Sequence, residues 1–389
     1  MKILNISYVL PIKGKGTEND IVLRFQDYMI QNHNHQYTII KFLPFVNNLL
    51  SRISSKWKMY HNFHLKGKIK LEGHNAFIFP WILPPTSNHI INYFFLPINR
   101  IFYILFLRKK IKPLIKDKDL ILSQTLFPDS ILAYWIHKDF NIPYIINLRG
   151  TISNFFLKWP LINSIFKYSK NIITPSPTNY NKFSSMLSIN FIPHPLEDDF
   201  INKKYNKKYD MIRIVSVCRL IKLKNLDWVL NALSKLKKYK IKFEYIIIGN
   251  GPELNNLKAL TKELGLNNEI KFEGYKEKDY IIKALSKAHI FVMPSFPETL
   301  GRSFLEAAAL GCLCIGHEKT GIDGLFQNNK SALFVDKNTI DRCLFTLVNN
   351  FSIEYINKFA FESKKIVKNL SWDYVGNKYN EIYLKAIKK

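Results

Sequence analysis

The chain has 389 residues, 47% of them hydrophobic, which is enough for two domains of ordinary size with a core each. Its 57 Lys and Arg against 30 Asp and Glu give a formal charge of +27, for which nucleic acid and an anionic membrane surface are the natural partners. The basic residues are spread over both halves and do not alternate with aromatics on a nucleic-acid module, which sets nucleic acid aside; Cys218, Cys312, Cys314 and Cys343 form no CxxC pair, which sets aside a metal ribbon and, with no signal peptide, fits reduced thiols in the cytoplasm.

In chain order, Lys2-Ile3-Leu4-Asn5-Ile6-Ser7-Tyr8 predicts a first strand, Gly14-Lys15-Gly16-Thr17-Glu18 a glycine loop, and residues 20–30 a helix. A dinucleotide fingerprint fails here: Asn19 holds the third glycine position, and the strand 37–43 ends without a ribose-binding acid. Two basic clusters follow, Arg52, Lys56, Lys58, Lys66, Lys68 and Lys70, then Arg108, Lys109, Lys110, Lys112, Lys116 and Lys118. The apolar stretch 90–107 between them is interrupted by Asn92, Pro97, Asn99 and Arg100, which excludes a membrane span and leaves a helix packed on the first sheet or one docked on a membrane. Further strands are expected at 120–123, 144–148, 171–175 and 190–192, and the polar run 197–210 reads as a linker.

The second half carries the chemistry. A strand at 212–218 leads into Arg219-Leu220-Ile221-Lys222-Leu223-Lys224-Asn225 and then a helix, so Arg219 and Lys224 fall at the carboxyl edge of a sheet, where open α/β sheets bind ligands. The guanidinium fork and the ammonium point charge both suit phosphate oxygens. Strand 244–248 runs into Gly249-Asn250-Gly251-Pro252-Glu253, a turn that permits close backbone approach to a ligand. Strand 289–293 runs into Pro294-Ser295-Phe296-Pro297-Glu298-Thr299-Leu300-Gly301, and a helix follows with Glu306 inside it. Free amides and a helix dipole at such a turn suit a phosphate, with a glutamate on either side for sugar and ribose; two exposed glutamates flanking an ordinary helix start is the plain alternative. Cys312 and Cys314 point to one face of a buried strand, so packing is expected of them rather than metal binding.

Arg219-x4-Lys224, Ile248-Gly249-Asn250-Gly251-Pro252-Glu253, Phe272-Glu273-Gly274 and Pro294-Ser295 with Glu298-x7-Glu306 together resemble the nucleotide-sugar-dependent retaining glycosyltransferases of family 4. Leu370-Ser371-Trp372 with Tyr374, Tyr379 and Tyr383 resembles that family's closing helix. The resemblance implies the GT-B fold, two Rossmann-like doubly wound α/β domains facing a central cleft. It places an acceptor-binding domain at 1–197, a linker at 198–210, a nucleotide-sugar domain at 211–371 and a helix crossing back at 372–389. It gives Arg219 and Lys224 the donor diphosphate, Glu306 the ribose, and Glu298 the transferred sugar, supported by the amides of Thr299, Leu300 and Gly301. Gly16, Gly249 and Gly251 complete the donor set, and Glu298, Arg219 and Lys224 are the catalytic candidates.

Where the family often has histidine, this chain has Arg149, which cannot act as a base; it is a candidate for phosphate or acceptor binding, or for a structural role. His194 reads as structural. Asp117-Lys118-Asp119 mimics a metal-binding DxD but precedes its strand rather than ending one, so no metal and no cofactor are expected. The implied activity is a metal-independent transferase of the hexosyltransferase type, moving a sugar from a UDP- or GDP-sugar to a lipid-linked or polysaccharide acceptor of a capsule, O-antigen or exopolysaccharide, at the inner face of the cytoplasmic membrane. A nucleotide-sugar epimerase of the same fold and a non-catalytic nucleic-acid-binding protein stay open as alternatives.

Overall fold

The computed structural model describes residues 1–10, 20–71, 73–82, 94–150, 159–203, 207, 211–239 and 241–388. The chain forms two compact units: residues 1–173, 188–190 and 376–389, and residues 174–187 with 191–375.

The first unit holds strands β1 (Lys2–Ile6), β2 (Gln36–Pro44), β3 (Lys68–Leu71), β4 (His74–Trp81), β5 (Leu120–Ser123), β6 (Tyr144–Asn147), β7 (Asn171–Thr174) and β8 (Ile189–Phe191). They form one sheet in the order β3-β4-β2-β1-β5-β6-β7-β8. The pairs from β4 through β7 are parallel, and β3 adds antiparallel to the edge. Continuous apolar runs such as Leu-Ile-Leu in β5 and Tyr-Ile-Ile in β6 are buried throughout, as strands covered on both faces must be. In β3 the alternation Lys68-Ile69-Lys70-Leu71 turns the lysines to solvent and Leu71 inward, so part of the first basic cluster is the charged face of an edge strand.

A helical stretch follows β4. An α-helix Leu96–Phe102 runs through a π turn, Tyr103–Leu107, into an α-helix Arg108–Ile115. Leu96, Tyr103, Leu107, Ile111 and Ile115 are buried along one side, while Ile98, Ile101, Ile104 and Leu105 are exposed on the other. One face packs inward as expected and the other is exposed and apolar; residues 90–93 of the stretch lie outside the described set. No helix among the described residues is long and apolar enough to cross a membrane.

The second unit holds β9 (Ile212–Val217), β10 (Phe243–Ile248), β11 (Ile270–Gly274), β12 (Ile290–Met293), β13 (Leu313–His317) and β14 (Leu333–Val335), ordered β11-β10-β9-β12-β13-β14 and all parallel. Apolar clusters fill the space on either side of this sheet, and Cys312 and Cys314 are free and buried in one of them. In both sheets the strand order reverses beside the first strand, at β1/β5 and at β9/β12, which sets a crevice between the loops leaving those strands.

The boundaries drawn from the sequence at 197 and 198–210 need correction. Residues 174–187 and 191–197 cluster with the second unit, where the Leu196 amide donates to the Leu370 carbonyl at 2.7 Å. The expected linker starts as a helix, Asp198–Ile201, with Phe200 in the core. Lys207 is buried and its ammonium donates to the carbonyls of Ala288 and Gly311. A polar run is no free linker when Phe200, Ile201 and Lys207 are anchored; residues 204–206 and 208–210 lie outside the described set. The last helix, Trp372–Ile387, belongs from Gly376 onward to the first unit, where Tyr379 packs on Phe25 at 4.7 Å between ring centroids.

Candidate functional site

The loops after β9 and β12 meet at the switch point of the second sheet. Phe296 N–H donates to the Leu223 carbonyl at 2.8 Å, and the Asn225 side-chain amide donates to the Pro294 carbonyl at 2.8 Å. Asn225 takes a left-handed conformation (φ 51°), which Asn tolerates better than most residues, and so ends the Arg219 loop and opens the helix Leu226–Lys238.

These ties bring Lys224 to Glu298. The ammonium donates to Glu298 Oε2 at 2.6 Å, with the two side chains 18% and 14% exposed. Ser295 Oγ donates to the same oxygen at 3.1 Å, and the Thr299 amide donates to Oε1 at 3.0 Å. Thr320 closes the main chain around the residue, accepting from Glu298 N–H at 2.8 Å and donating to its carbonyl at 2.7 Å. The carboxylate is thus fixed in orientation, and its charge is matched. Such a group is suited to accepting hydrogen bonds from sugar hydroxyls; as an ion-paired, multiply hydrogen-bonded carboxylate it is a weaker nucleophile.

Gly301 precedes the helix Arg302–Ala309 at φ 71°, where an L side chain is strained, and an added Cβ would lie 2.7 Å from the Phe304 ring. The Thr299 amide is engaged by Glu298, but the amides of Leu300 and Gly301 make no hydrogen bond among the described residues. Arg219 is exposed, and its guanidinium has no partner among the described residues. One N–H of Lys224 is used by Glu298, which leaves two. One edge therefore presents a free guanidinium, a partly free ammonium and two free amides at a helix start, a donor set matched to a diphosphate.

Glu306 lies within the helix, its Oε1 3.5 Å from Arg302 Nε, and Arg302 Nη2 reaches Glu197 at 3.2 Å. The glycine turn after β10 has a different basis from the one expected. A Cβ on Gly249 would fall 1.8 Å from the Cys218 carbonyl oxygen, and one on Gly251 2.2 Å from that of Leu220. Backbone of the Arg219 loop occupies the space the missing side chains leave, so these glycines let two loops pack. Gly16 and the rest of its loop lie outside the described residues, as does Thr151.

Arg149 is in the first unit, its Nε donating to Gln124 Oε1 at 2.8 Å; Gln124 in turn donates to Asn5 at 2.9 Å. Asp117 and Asp119 sit at the amino ends of β1 and β5, away from the ligand edge. Lys2 Nζ lies 3.0 Å from Asp117, and the Lys2 amide donates to Asp119 at 2.7 Å. Hydrogen bonds from Lys118 and Lys2 hold the Asp117 carboxyl down to about 2. No cluster of three or more His, Cys, Asp or Glu among the described residues is placed to hold a metal ion. Ser295 was part of the quoted motif but without a role, and Thr320 and Arg302 were not singled out from the sequence; Thr320-Gly321, closely following an apolar strand, was the available signal.

Residues 197–344 match the family described as Glycosyl transferases group 1. A GDP-mannose-dependent alpha-(1-6)-phosphatidylinositol monomannoside mannosyltransferase of Mycobacterium tuberculosis is 29% identical over 159 residues, 39% of this chain and 41% of that protein. The amylovoran biosynthesis glycosyltransferase AmsK of Erwinia amylovora is 32% identical over 140 residues, 33% of this chain and 34% of that protein. The chain thus spans well under half the length of these curated relatives. The crystal structure of a glycosyltransferase from Rickettsia africae superposes with a TM-score of 0.71 at 18% identity, covering 100% of this chain and 99% of that one. Residues 197–344 are accordingly a domain of the group 1 glycosyl transferases, set in a chain with the GT-B fold.

Proposed function

We propose that the protein is a retaining, metal-independent glycosyltransferase that moves a sugar from a UDP- or GDP-sugar to a lipid-linked or polysaccharide acceptor in envelope glycan synthesis, working at the inner face of the cytoplasmic membrane. The observation that carries this reading is the Lys224–Glu298 contact at the β9/β12 edge, with Arg219, in the same loop as Lys224, exposed and without a partner among the described residues. Breaking the anomeric C–O bond leaves a nucleoside diphosphate, and Arg219, Lys224 and the amides of Leu300 and Gly301 meet its growing charge without a cation. The acceptor hydroxyl attacks the face from which the diphosphate departs; its oxygen bonds to the anomeric carbon while its proton passes to the leaving phosphate oxygen. Glu298 holds the sugar and Glu306 the ribose. The names of the relatives support the donor class, the lipid acceptor and the envelope product.

A thermal-shift screen of UDP- and GDP-sugars tests the reading, since a bound donor stabilises the native state. Stabilisation by one nucleotide class, and transfer to acceptor that persists in EDTA, are the expected results. Transfer lost in EDTA and restored by Mg²⁺ or Mn²⁺ would overturn the metal-free chemistry, and an isomerised sugar released without acceptor product would point to an epimerase.

A further inference from the structure

The first unit carries a cavity of about 500 Å³ that the transfer reaction does not use. Phe94, Leu96, Trp135 and Leu161 give it apolar walls, and Arg100 and Lys138 also line it. Its volume falls in the range of small-molecule sites.

Arg100 is held in place yet not satisfied. Its guanidinium lies over the rings of Tyr103 and Trp135, 5.2 and 5.3 Å from their centroids. Its only carboxylate neighbour among the described residues is Asp139, at 3.8 Å, and that carboxylate is already taken by Arg108 at 3.0 Å and by the Tyr103 hydroxyl at 3.1 Å. Nη1 is shielded from solvent and has no hydrogen-bond partner among the described residues. A buried donor without an acceptor is costly, and it is corrected by a ligand that brings one. An apolar cavity lined by a fixed, under-used guanidinium and an ammonium matches an amphipathic anion, a phosphate on a hydrocarbon chain.

The surroundings say where such a molecule comes from. Ile98, Ile101 and Leu105 recur at helical spacing and are 46%, 57% and 59% exposed, an apolar stripe open to solvent among the described residues. Arg108, Lys109, Lys110 and Lys112 follow it on the same helical stretch and are exposed. An apolar stripe continued by cations complements an anionic bilayer: the side chains enter the acyl boundary and the basic residues meet headgroups.

We propose that this pocket binds an anionic lipid taken from a bilayer, with Arg100 and Lys138 on its phosphate and its chain between Leu96, Trp135 and Leu161. The site deepens the membrane part of the function proposed above and is independent of sugar transfer, so it is read with no nucleotide sugar present. Isothermal titration of the full chain with dodecyl phosphate should show binding, and inorganic phosphate and dodecyl maltoside should bind about tenfold or more weakly. Leu161→Trp, which fills the cavity with apolar volume, should weaken dodecyl phosphate by about tenfold, and Arg100→Gln similarly. The chain should float with vesicles of phosphatidylcholine and phosphatidylglycerol in equal parts and not with phosphatidylcholine alone. Ile101→Glu with Leu105→Glu should abolish flotation while dodecyl phosphate still binds. Unchanged dodecyl phosphate affinity in Leu161→Trp, or equal affinity for inorganic phosphate, would overturn the pocket assignment. Flotation that ignores vesicle charge or survives the double variant would overturn the bilayer as source. If Arg100→Gln loses its fold, Leu161→Trp decides alone.

Discussion

The two sheets reverse strand order in the same way, yet the edges they create are built differently. At the β9/β12 edge the charges lie near the surface: Arg219 is exposed, and Lys224 and Glu298 keep part of their side chains in solvent. At the β1/β5 edge the charges are inside. Lys41 is 1% exposed and donates to the carbonyls of Tyr8 and Leu10, while buried Asp129 accepts from the Tyr8 amide at 2.8 Å and from Thr125 Oγ1 at 2.9 Å. Lys41 and Asp129 thus hold the chain leaving β1 from two sides. Topology supplies a crevice in each unit; burial decides whether its charges face solvent, where a ligand can reach them, or hold the protein's own loop.

The largest effect should come from breaking the internal edge. Lys41→Met removes the donor to the Tyr8 and Leu10 carbonyls. Leaving buried carbonyls without their donor costs about 1 to 3 kcal/mol, readable as a fall in the urea midpoint. A midpoint within error of the wild type would erase the distinction between the two edges. The two buried groups also predict a pH dependence. Burial raises the Asp129 carboxyl to about 7, so the folded chain keeps a proton that the unfolded chain has released above about pH 4. Its contribution is present at low pH and is lost as pH rises towards 7. Burial lowers Lys41 to about 8, so its contribution grows as pH rises from there towards the ordinary lysine range. The melting temperature of wild type minus that of Asp129→Asn should therefore fall between about pH 4 and pH 7, and a flat difference would show that Asp129 does not titrate as its burial requires.

Much of this was legible in the sequence, for reasons that differ by element. Strands β5, β9 and β12 show as unbroken apolar runs because both faces are covered, and the loops after β9 and β12 follow directly from them. Strand β3 was missed because two of its four residues are lysines, which reads as a charge cluster until the alternation with Ile69 and Leu71 is noticed. The Lys224–Glu298 contact was not legible: it spans 74 positions and depends on β9 pairing with β12, which no local pattern encodes. The glycines after β10 were legible as a tight turn but not as loop-to-loop packing, since the contacting carbonyls of Cys218 and Leu220 lie on a different strand end.

At the exposed edge the expected losses are functional, with stability kept. Glu298→Gln keeps the shape of the side chain but removes the charge that, in the function proposed above, strengthens its hydrogen bonds as the anomeric centre becomes cationic. It should lower kcat about a hundredfold, equivalent to roughly 2.7 kcal/mol, with little change in donor KM. Arg219→Ala removes an exposed guanidinium, so its melting temperature should match the wild type while nucleoside diphosphate affinity falls about tenfold, the lower end for a charge-assisted phosphate contact. Equal affinity in calorimetry would move the diphosphate away from this loop.

The smallest expected effect is at Glu306, and it separates the two glutamates most finely. Glu298 is fixed by Lys224, Ser295 and the Thr299 amide beside the helix start, whereas Glu306 lies inside the helix facing Arg302 at 3.5 Å. A residue at the ribose touches a part of the donor that does not react, so its contribution is nearly the same in the ground state and the transition state. Glu306→Gln should therefore raise donor KM and weaken free nucleoside diphosphate by about fivefold, near 1 kcal/mol for one hydrogen bond, with kcat little changed. Steady-state kinetics with a defined acceptor and calorimetry with the free diphosphate measure the two quantities separately. If Glu306→Gln left nucleotide affinity intact while Glu298→Gln abolished it, the donor would lie the other way along this edge. The ribose would then sit at the Lys224–Glu298 contact and the transferred sugar beside Arg302.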